Sequence, residues 1–383
     1  MPWALLAAAC LAMFAASSSG TTRAPFLIDM AHDLSASLPL VANLMAVTSI
    51  AWGVSSVFAG AASDRWGRRP FLVGAPLGLA AGLVCLSLAQ SFLGVAFWAA
   101  ASGACAGAFT GVIMTEASAR TVDRQRGRAL GWVMAGQSLA LLVGVPMAAW
   151  IGAPIGWRGV HQVVAGVAVL AALGLFVTTV RPAEGIAPGA RSKQAGMRGA
   201  MTKPVLRLLA MGVAERVCYG LTVVYFATFL QTTYGLTPAG VAIPLGIVAL
   251  GNILGTILGG QAADRLADRS RTFAVAMVAS GLAAMALFGW TPGLHGTVAL
   301  GFGYATFSAM SRPSLMAALA NVPEEVRGTV LGLNVTAASL GWLGAASLGG
   351  WIMAAIGFAG FGPFALAVAL LAAVLALAGR RAG

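Results

Sequence analysis

An acidic and a basic side chain stand next to each other inside an apolar run, in the stretch GVAERVCYG at residues 212–220. A carboxyl group in that setting can bind and release a proton, and an arginine beside it can balance its charge. Counting 1.5 Å per helical residue from Val205, Glu215 lies about 15 Å into the run, half-way across a hydrocarbon layer about 30 Å thick. Arg312 precedes Asn321 by nine residues, which puts it about 13 Å from the same face.

Two interpretations of these charges are open. An ionisable group at this depth costs at least about 2.5–3.5 kcal/mol, so it is a functional candidate by default. We therefore expect Glu215 to be a protonatable coupling residue whose charge is balanced by Arg312 or Arg216. The alternative is a static buried ion pair that fixes the packing of two helices.

The composition predicts that lipid surrounds most of the chain. Of its 383 residues, 59% are hydrophobic and 9% are charged, whereas a soluble domain carries about 25% charged residues. The apolar start at 1–20 lacks a positively charged first region, so we expect it to belong to the mature protein rather than to a cleaved signal. The net charge of +12 comes from short breaks between apolar runs, which argues against nucleic-acid binding.

A helix needs about 20 apolar residues to cross a bilayer, and twelve runs qualify. Their approximate bounds are 4–30, 38–62, 70–89, 92–118, 128–151, 158–180, 205–232, 238–262, 272–290, 294–319, 328–356 and 361–379. All lysines and arginines except Arg23, Arg158, Arg216 and Arg312 fall on one side of this arrangement, which the positive-inside rule makes cytoplasmic. The expected fold is an all-α membrane protein with twelve transmembrane helices, placed in a bacterial-type cytoplasmic (inner) membrane with both termini inside.

An internal repeat divides these spans into two halves. The sequence GAASDRWGRR at Gly60 recurs as GQAADRLADR at Gly260, and RGRALG at Arg126 recurs as RGTVLG at Arg327. Two matches at nearly the same offset predict two pseudo-symmetric six-helix halves of the same orientation, at 1–180 and 205–383. The stretch at 181–204 is rich in Pro, Gly and cations and is the expected cytoplasmic linker.

With these repeats the chain resembles the major facilitator superfamily of transporters over its whole length. The family's motif A, roughly G-x-x-x-D-R-x-G-R-R after the second helix, is matched by Gly60, Asp64, Arg65, Gly67, Arg68 and Arg69. The second copy keeps Gly260, Asp264, Arg265 and Arg269. It has Asp268 where the first copy has Arg68.

Two further motifs bear on the branch of the family. Gly144 and Pro146 in span five resemble the Gly-Pro pattern of motif C, associated with antiporters of the drug and sugar (arabinose-type) efflux branch, although Val145 separates them. The arginine of motif B in span four is missing, because Ala99 stands one turn before Gly103. That arginine is often tied to proton coupling in the family, and this chain lacks it.

The resemblance implies roles for the charges near motif A. Asp64 is expected to act as a latch against the start of span eleven, whose positive dipole end suits a carboxylate. Gly60 would let spans two and eleven approach closely. Glu116 would join the charge cluster through Arg65 or Arg69. Alternatively, it would pair with Arg120 one turn along its own helix.

The resemblance also implies that spans one, four, seven and ten line a central cavity, with Glu215 and Arg312 on one wall. Polar substrate contacts are then expected from Tyr219, Tyr304, Ser308 and Ser311, and from Ser18 and Thr22 of span one. Arg23 and Asp29 are expected in a polar network or gate at the outer side.

The function that follows is secondary active transport of a small organic solute by alternating access. We expect the transport to be proton-coupled efflux and the transporter to be a monomer. The alternatives are an uptake symporter or facilitator of the same fold, or a membrane receptor or assembly factor that binds without transport. The sequence contains no phosphate-binding loop, no catalytic constellation and no metal-ligand pattern, so neither an enzyme nor a cofactor is expected. The expected partners are the solute, protons and the lipid bilayer.

Overall fold

The computed structural model describes residues 1–179, 201–266, 268–322 and 324–378. Within these ranges, a small set of side chains lies outside the description: Ala61, Asp64, Asp123, Arg124, Glu324, Glu325, Arg327, Gly328, Thr329, Leu331 and Gly332. The predicted linker at 181–204 falls outside the described residues except for its last four positions. The chain folds into two compact units.

The first unit comprises the described residues of Met1–Ala190 together with Thr237–Ala242. Its helices are α1 (Trp3–Thr21), α2 (Leu27–Asp33), α3 (Leu38–Trp66), α4 (Arg69–Leu88), α5 (Phe92–Ala119), α6 (Asp123–Leu139) and α7 (Val145–Thr178). A 3-10 turn at Ala24–Phe26 joins α1 to α2, and a π-helical turn at Ala140–Gly144 joins α6 to α7. Helix α3 packs on α5, α4 packs on α5 and α7, and α1 packs on α6 and α7.

The second unit comprises the described residues of Arg191–Leu236 and Ile243–Gly383. Its helices are α8 (Lys203–Tyr234), α9 (Ala242–Arg265, entering this unit at Ile243), α10 (Arg269–Gly289), α11 (Leu294–Ala320), α12 (Glu324–Ile356) and α13 (Phe361–Ala378). Helix α8 packs on α11, α12 and α13, and α10 packs on α11 and α13. No strand occurs in the described part of the chain, as predicted for an all-α protein.

Ten segments within the described ranges are long and apolar enough to cross a membrane. One of them, Gln125–Thr178, has 54 residues, which at 1.5 Å per residue is about 81 Å of helix and enough for two crossings. Its helical geometry breaks at Gly156 (φ 68°, ψ 175°), between the predicted spans five and six. Helix α11 also has sufficient length, with 27 residues, but Arg312, Pro313 and several hydroxyl groups make it less apolar. These two features make the ten segments consistent with twelve spans.

Two ladders of glycines let neighbouring helices meet at backbone distance. On α5, a Cβ added to the ladder would overlap the carbonyl oxygens of Thr48, Trp52 and Ser56 of α3; the glycines are Gly103, Gly107 and Gly111. On α9, the ladder faces carbonyl oxygens of α11 in the same way; the glycines are Gly251, Gly255 and Gly259. Van der Waals packing of small residues is a main source of helix association in lipid, so these ladders set how closely each helix pair can approach.

We expect Gly107→Ala to lower the melting temperature of the detergent-purified protein by several degrees. The added methyl group would overlap the Trp52 carbonyl oxygen and the Ser55 Oγ atom, and the α3–α5 pair would have to separate. The matched control is Gly166→Ala in α7, where an added Cβ has no described atom within 4 Å. There the melting temperature should hold or rise slightly, because alanine is the better helix former. Equal losses in both variants would show that close approach is not the constraint.

Candidate functional site

The ionisable side chains in the middle of α8 and α11 meet within the second unit. The Glu215 Oε1 atom accepts hydrogen bonds from Arg312 Nε at 3.2 Å and from Arg312 Nη2 at 2.9 Å. Glu215 lies about 18 Å from the start of α8, and Arg312 lies about 27 Å from the start of α11. Since Glu215 is only 1% exposed, the ion pair takes the place of water around its carboxylate.

Arg216 brings a second guanidinium to the other oxygen of the same carboxylate. Its Nε atom lies 3.4 Å from Glu215 Oε2. The side chains of Arg216 and Arg312 remain 20% and 22% exposed, so each guanidinium keeps part of its surface open. With all three groups ionised, the cluster carries one surplus positive charge.

An aromatic pair borders the two guanidinium groups. The Cζ atoms of Arg312 and Arg216 lie 4.8 Å and 5.6 Å from the centre of the Tyr219 ring, within the range of cation–π attraction. Tyr219 in turn meets Trp342 of α12 edge to face, with ring centres 5.7 Å apart. Sequence reasoning missed Trp342, because nothing in the local pattern of α12 distinguishes it from a lipid-facing tryptophan.

The predicted polar residues near this cluster are mostly engaged in helix packing. The Tyr304 hydroxyl donates to the Cys218 carbonyl oxygen and links α11 to α8. The Ser311 hydroxyl donates to the Ser308 carbonyl oxygen of its own helix at 2.8 Å. Ser308 Oγ is buried and has no hydrogen-bond partner in the described part of the chain. Of the predicted contacts on α8 and α11, Tyr219 has its ring against both guanidinium groups.

The predicted polar residues of span one lie near the junction of α6 and α7 in the first unit. Thr22 donates to the Ser18 carbonyl oxygen at 2.7 Å. A Cβ on Gly144 would lie 2.9 Å from Ser18 Oγ, so Ser18 faces the π-helical turn that precedes Pro146. The substrate contacts expected at Ser18 and Thr22 stay a prediction. The close approach at Ser18 shows what Gly144 does in span five: it gives Ser18 room where α1 meets the α6–α7 junction.

Arg23 is buried in the first unit among residues that the sequence did not single out. Its Nη1 atom donates to Thr48 Oγ1 at 2.8 Å, and its Nε atom donates to His161 Nε2 at 3.4 Å. The His161 Nδ1–H group donates to the Trp157 carbonyl oxygen at 2.7 Å, which leaves Nε2 free to accept from Arg23. Asp29 is exposed and forms no ion pair with Arg23 in the described residues. The predicted polar network thus forms around Arg23 without Asp29.

A different acid joins α2 to α7. Arg158 Nη1 donates to Asp33 Oδ2 at 2.6 Å, and Trp157 Nε1 donates to the same oxygen at 2.9 Å. The Arg158 guanidinium also lies 4.2 Å above the Trp157 ring. Asp33, which the sequence analysis did not single out, therefore links the end of α2 to α7.

The first copy of motif A forms a structured turn between α3 and α4. Gly67 adopts φ 82°, a conformation that glycine tolerates and most residues do not. Arg65 is exposed, and the Arg69 guanidinium lies 4.9 Å above the Phe176 ring. The side chain of Asp64 lies outside the described residues, as does that of Arg327, so the latch stays a prediction. Within its own unit, a Cβ on Gly60 would meet no described atom within 4 Å.

Glu116 pairs with a motif A arginine other than those expected. Its Oε2 atom lies 3.2 Å from Arg68 Nη1, and its Oε1 atom lies 2.5 Å from Arg120 Nε. The pairing with Arg120 is the predicted contact one turn along the helix. The expected partners Arg65 and Arg69 are replaced by Arg68, because the turn at Gly67 directs Arg68 toward α5.

The second copy of motif A is built differently. Asp268 Oδ1 accepts from the Arg271 backbone N–H at 3.0 Å and caps α10, which explains an acid where the first copy has Arg68. Asp264 and Arg265 are exposed at the end of α9, and Arg269 begins α10. A Cβ on Gly260 would also meet no described atom within 4 Å. Asp268 therefore caps a helix at the position where Arg68 of the first copy pairs with Glu116.

The cluster around Glu215 can carry out proton binding and charge exchange. Protonation of Glu215 would remove the counter-charge of two guanidinium groups and free their donors for another acceptor. No group of His, Cys, Asp and Glu side chains suited to a metal ion occurs in the described part of the chain.

We expect Glu116→Gln to lower the melting temperature of the purified protein by several degrees. The change removes the negative charge that pairs with Arg68 and Arg120. Both guanidinium groups would then be part-buried without a counter-charge. The control is Asp264→Asn, which removes an exposed acid that forms no described ion pair and should change the melting temperature little. A loss at Asp264 as large as that at Glu116 would contradict this account.

Two bacterial proteins are similar to about two thirds of this chain. The chain is 29% identical to the inner membrane transport protein YdhP of Escherichia coli K12 over 258 residues, which are 66% of this chain and 64% of YdhP. It is 27% identical to the chloramphenicol resistance protein of Streptomyces lividans over 69% of this chain and 67% of that protein. The alignment with YdhP thus covers just under two thirds of that relative's own length.

The fold is also similar to that of a solved transporter structure. A bacterial homologue of the human lysosomal transporter Spinster, in an inward-facing and unoccupied conformation, superposes with a TM-score of 0.76 at 19% identity. The match covers 98% of this chain and 96% of that structure. The sequence profile of the Major Facilitator Superfamily matches residues 9–343 and 211–382. The chain is therefore a multi-pass membrane protein that belongs to the Major Facilitator Superfamily, a family of transporters and not of enzymes.

Proposed function

We propose that this chain is a proton-coupled secondary transporter that moves a small organic solute across the cytoplasmic membrane by alternating access. Two six-helix halves, at 1–180 and 205–383, would move against each other around the linker at 181–204. Asp64 would act as the latch between them. The chain would work as a monomer with both termini in the cytoplasm, as the distribution of its cations suggests.

The observation that carries this proposal is the buried carboxylate of Glu215. It is the acid held in the middle of a long apolar helix, and its charge is balanced by Arg312 at 2.9 Å and Arg216 at 3.4 Å. An acid in this setting changes its charge only when the surrounding conformation or ligand changes, which is what proton coupling requires. In the absence of the motif B arginine, Glu215 is the group in the described residues best suited to this role.

Export is the first candidate for the direction of transport. It is supported by the resemblance of Gly144 and Pro146 to motif C. It is also supported by the relative whose name is chloramphenicol resistance protein. An exporter would bind its solute from the cytoplasm and return with a proton on Glu215.

Uptake by proton symport is the second candidate, and the charge of the cluster favours it. Two arginines face one acid, so neutralising Glu215 would create a site that attracts a negative solute together with the proton. The same Glu215 serves both candidates, and the direction of proton movement distinguishes them.

We expect Glu215→Gln to abolish proton movement by the reconstituted transporter while leaving solute exchange in place. The test uses proteoliposomes with a pH-sensitive dye inside and a panel of solutes outside: chloramphenicol, arabinose, benzoate, proline and tetraethylammonium. A transported solute should change the internal pH in the wild type and not in Glu215→Gln, because a glutamine side chain cannot titrate. Counterflow of the same solute, which needs no net proton movement, should persist in the variant.

The matched control is Asp268→Asn, since asparagine caps a helix as well as aspartate does. It should leave both proton movement and counterflow unchanged. Normal solute-driven proton movement in Glu215→Gln would rule out Glu215 as the coupling acid. Saturable solute binding without any flux would support a receptor instead of a transporter.

A further inference from the structure

The charge of the Glu215 cluster is not balanced. Both arginines form their ion pairs with this one carboxylate, and no second acid lies within ion-pair distance of either guanidinium among the described residues. A guanidinium group has five N–H donors. Arg312 directs Nε and Nη2 at a single oxygen, and Arg216 approaches the other oxygen through Nε. The cluster thus offers more donors and more positive charge than Glu215 can satisfy.

The geometry of the Arg312 pair leaves it open to exchange. The strongest arginine–carboxylate arrangement places two parallel N–H groups on two different oxygens. Here both donors of Arg312 converge on Oε1, and Oε2 lies with Arg216 instead. About a fifth of each arginine side chain is exposed, which leaves surface where a second carboxylate could approach.

The surroundings of the cluster suit an apolar or aromatic body beside that negative group. Tyr219 lies against both guanidinium groups and contacts Trp342 edge to face. Ring faces of this kind attract flat apolar groups as well as cations. The hydroxyls of Tyr304 and Ser311, by contrast, are engaged in helix hydrogen bonds and offer less to a polyhydroxylated solute.

No other titratable group in the described residues changes this charge count. The groups that face Glu215 are Arg216, Cys218 and Tyr219 on α8, and Tyr304 and Arg312 on α11. Helices α12 and α13 add no ionisable side chain to the cluster within their described parts. The thiol and the two phenols are neutral near pH 7, so the charge is set by two arginines and one acid.

We propose that this site binds an organic anion, a carboxylate on an apolar or aromatic body, which replaces Glu215 on Arg312 when Glu215 takes up a proton. Glu215 gains one proton and becomes neutral. The carboxylate of the solute then replaces the ionised Glu215 as the negative partner of Arg312. Arg216 binds the second oxygen of the solute, and Tyr219 with Trp342 contacts its body. The inference rests on the proposed transport function and names the class of solute for that site.

The exchange also determines the sign of coupling. Protonation of Glu215 strengthens anion binding, and by linkage anion binding strengthens protonation. Proton and anion therefore bind together, which is the order of a symporter. An antiporter of cations needs the opposite arrangement, in which the solute and the proton compete for one acid.

Direct binding of three matched probes tests the inference: benzoate, the neutral benzamide and the cationic benzylamine. Binding is measured by calorimetry on the purified full-length protein, with 2-naphthoate and its amide and amine as a larger set. We expect each carboxylate to bind at least about tenfold more tightly than its amide, the size of one charge-assisted contact. Its amine should bind more weakly still. Carboxylate affinity should rise as the pH falls from about 8 to about 6, where the probe itself stays ionised.

Variants separate this mechanism from a static ion pair. Glu215→Gln imitates the protonated acid, so it should bind benzoate about tenfold more tightly than the wild type at pH 8 and lose the pH dependence. A misfolded variant could not gain affinity in this way. Arg216→Gln should weaken benzoate binding about tenfold, and the matched control Arg271→Gln, an exposed arginine of α10, should not change it.

Several outcomes would overturn the inference. It fails if the amides or amines bind as tightly as the carboxylates, if no carboxylate binds, or if Glu215→Gln binds benzoate more weakly than the wild type. A neutral or cationic solute that moves protons through Glu215 would leave the proposed transport function intact and reject the anion. Tight carboxylate binding without flux would support the anion site and reject the proposed transport function.

Discussion

The contact of one buried carboxylate with two guanidinium groups is the interaction on which the arrangement of the second unit depends. An ionised acid alone in a membrane helix is unstable, and breaking a buried ion pair costs about 3–5 kcal/mol. The pair between Glu215 and Arg312 therefore holds α8 and α11 at one relative height. Gly341 brings the backbone of α12 against Arg216, and the hydroxyl of Tyr304 ties α11 to the α8 backbone. The same contacts that fix the helices also keep the charged groups within reach of each other.

In the first unit the buried cation is Arg23, and neutral hydrogen-bond acceptors rather than an acid stabilise it. Arg23 is bound by the neutral acceptors Thr48 and His161, and its Nη2 atom is buried with no partner in the described residues. The two halves of the sequence are related by repetition, yet among the described residues an acid half-way across a span occurs in the second half alone, at Glu215. A duplicated scaffold has thus acquired different polar chemistry in each unit. Each unit has one helix pair in close contact through a glycine ladder, and the buried charged residues of the two units differ.

The sequence predicted correctly those features that depend only on helical periodicity or on distance along a helix. The rise of a helix brings Glu215 and Arg312 to similar depth, and their contact follows once α8 and α11 are neighbours. It was less successful where a side chain's direction depends on a turn. Glu116 pairs with Arg68 rather than Arg65 or Arg69, because Gly67 adopts a positive φ. The pairing of Asp33 with Arg158, which the sequence analysis did not predict, depends on where the short helix α2 ends, and no apolar pattern indicates that point.

The sequence by itself determined the class of the protein, its apolar spans, its repeat and the family that its motifs indicate. These properties come from composition and periodicity, because a segment that crosses lipid must have its backbone groups satisfied, as they are within a long apolar helix. Only the tertiary structure decided which polar groups pair. It turned Ser18 toward Gly144, engaged Tyr304 in a helix contact, and set Tyr219 and Trp342 beside the two arginines. Such contacts depend on helix rotation and on close approach at single glycines, which side-chain type and spacing along the chain do not specify.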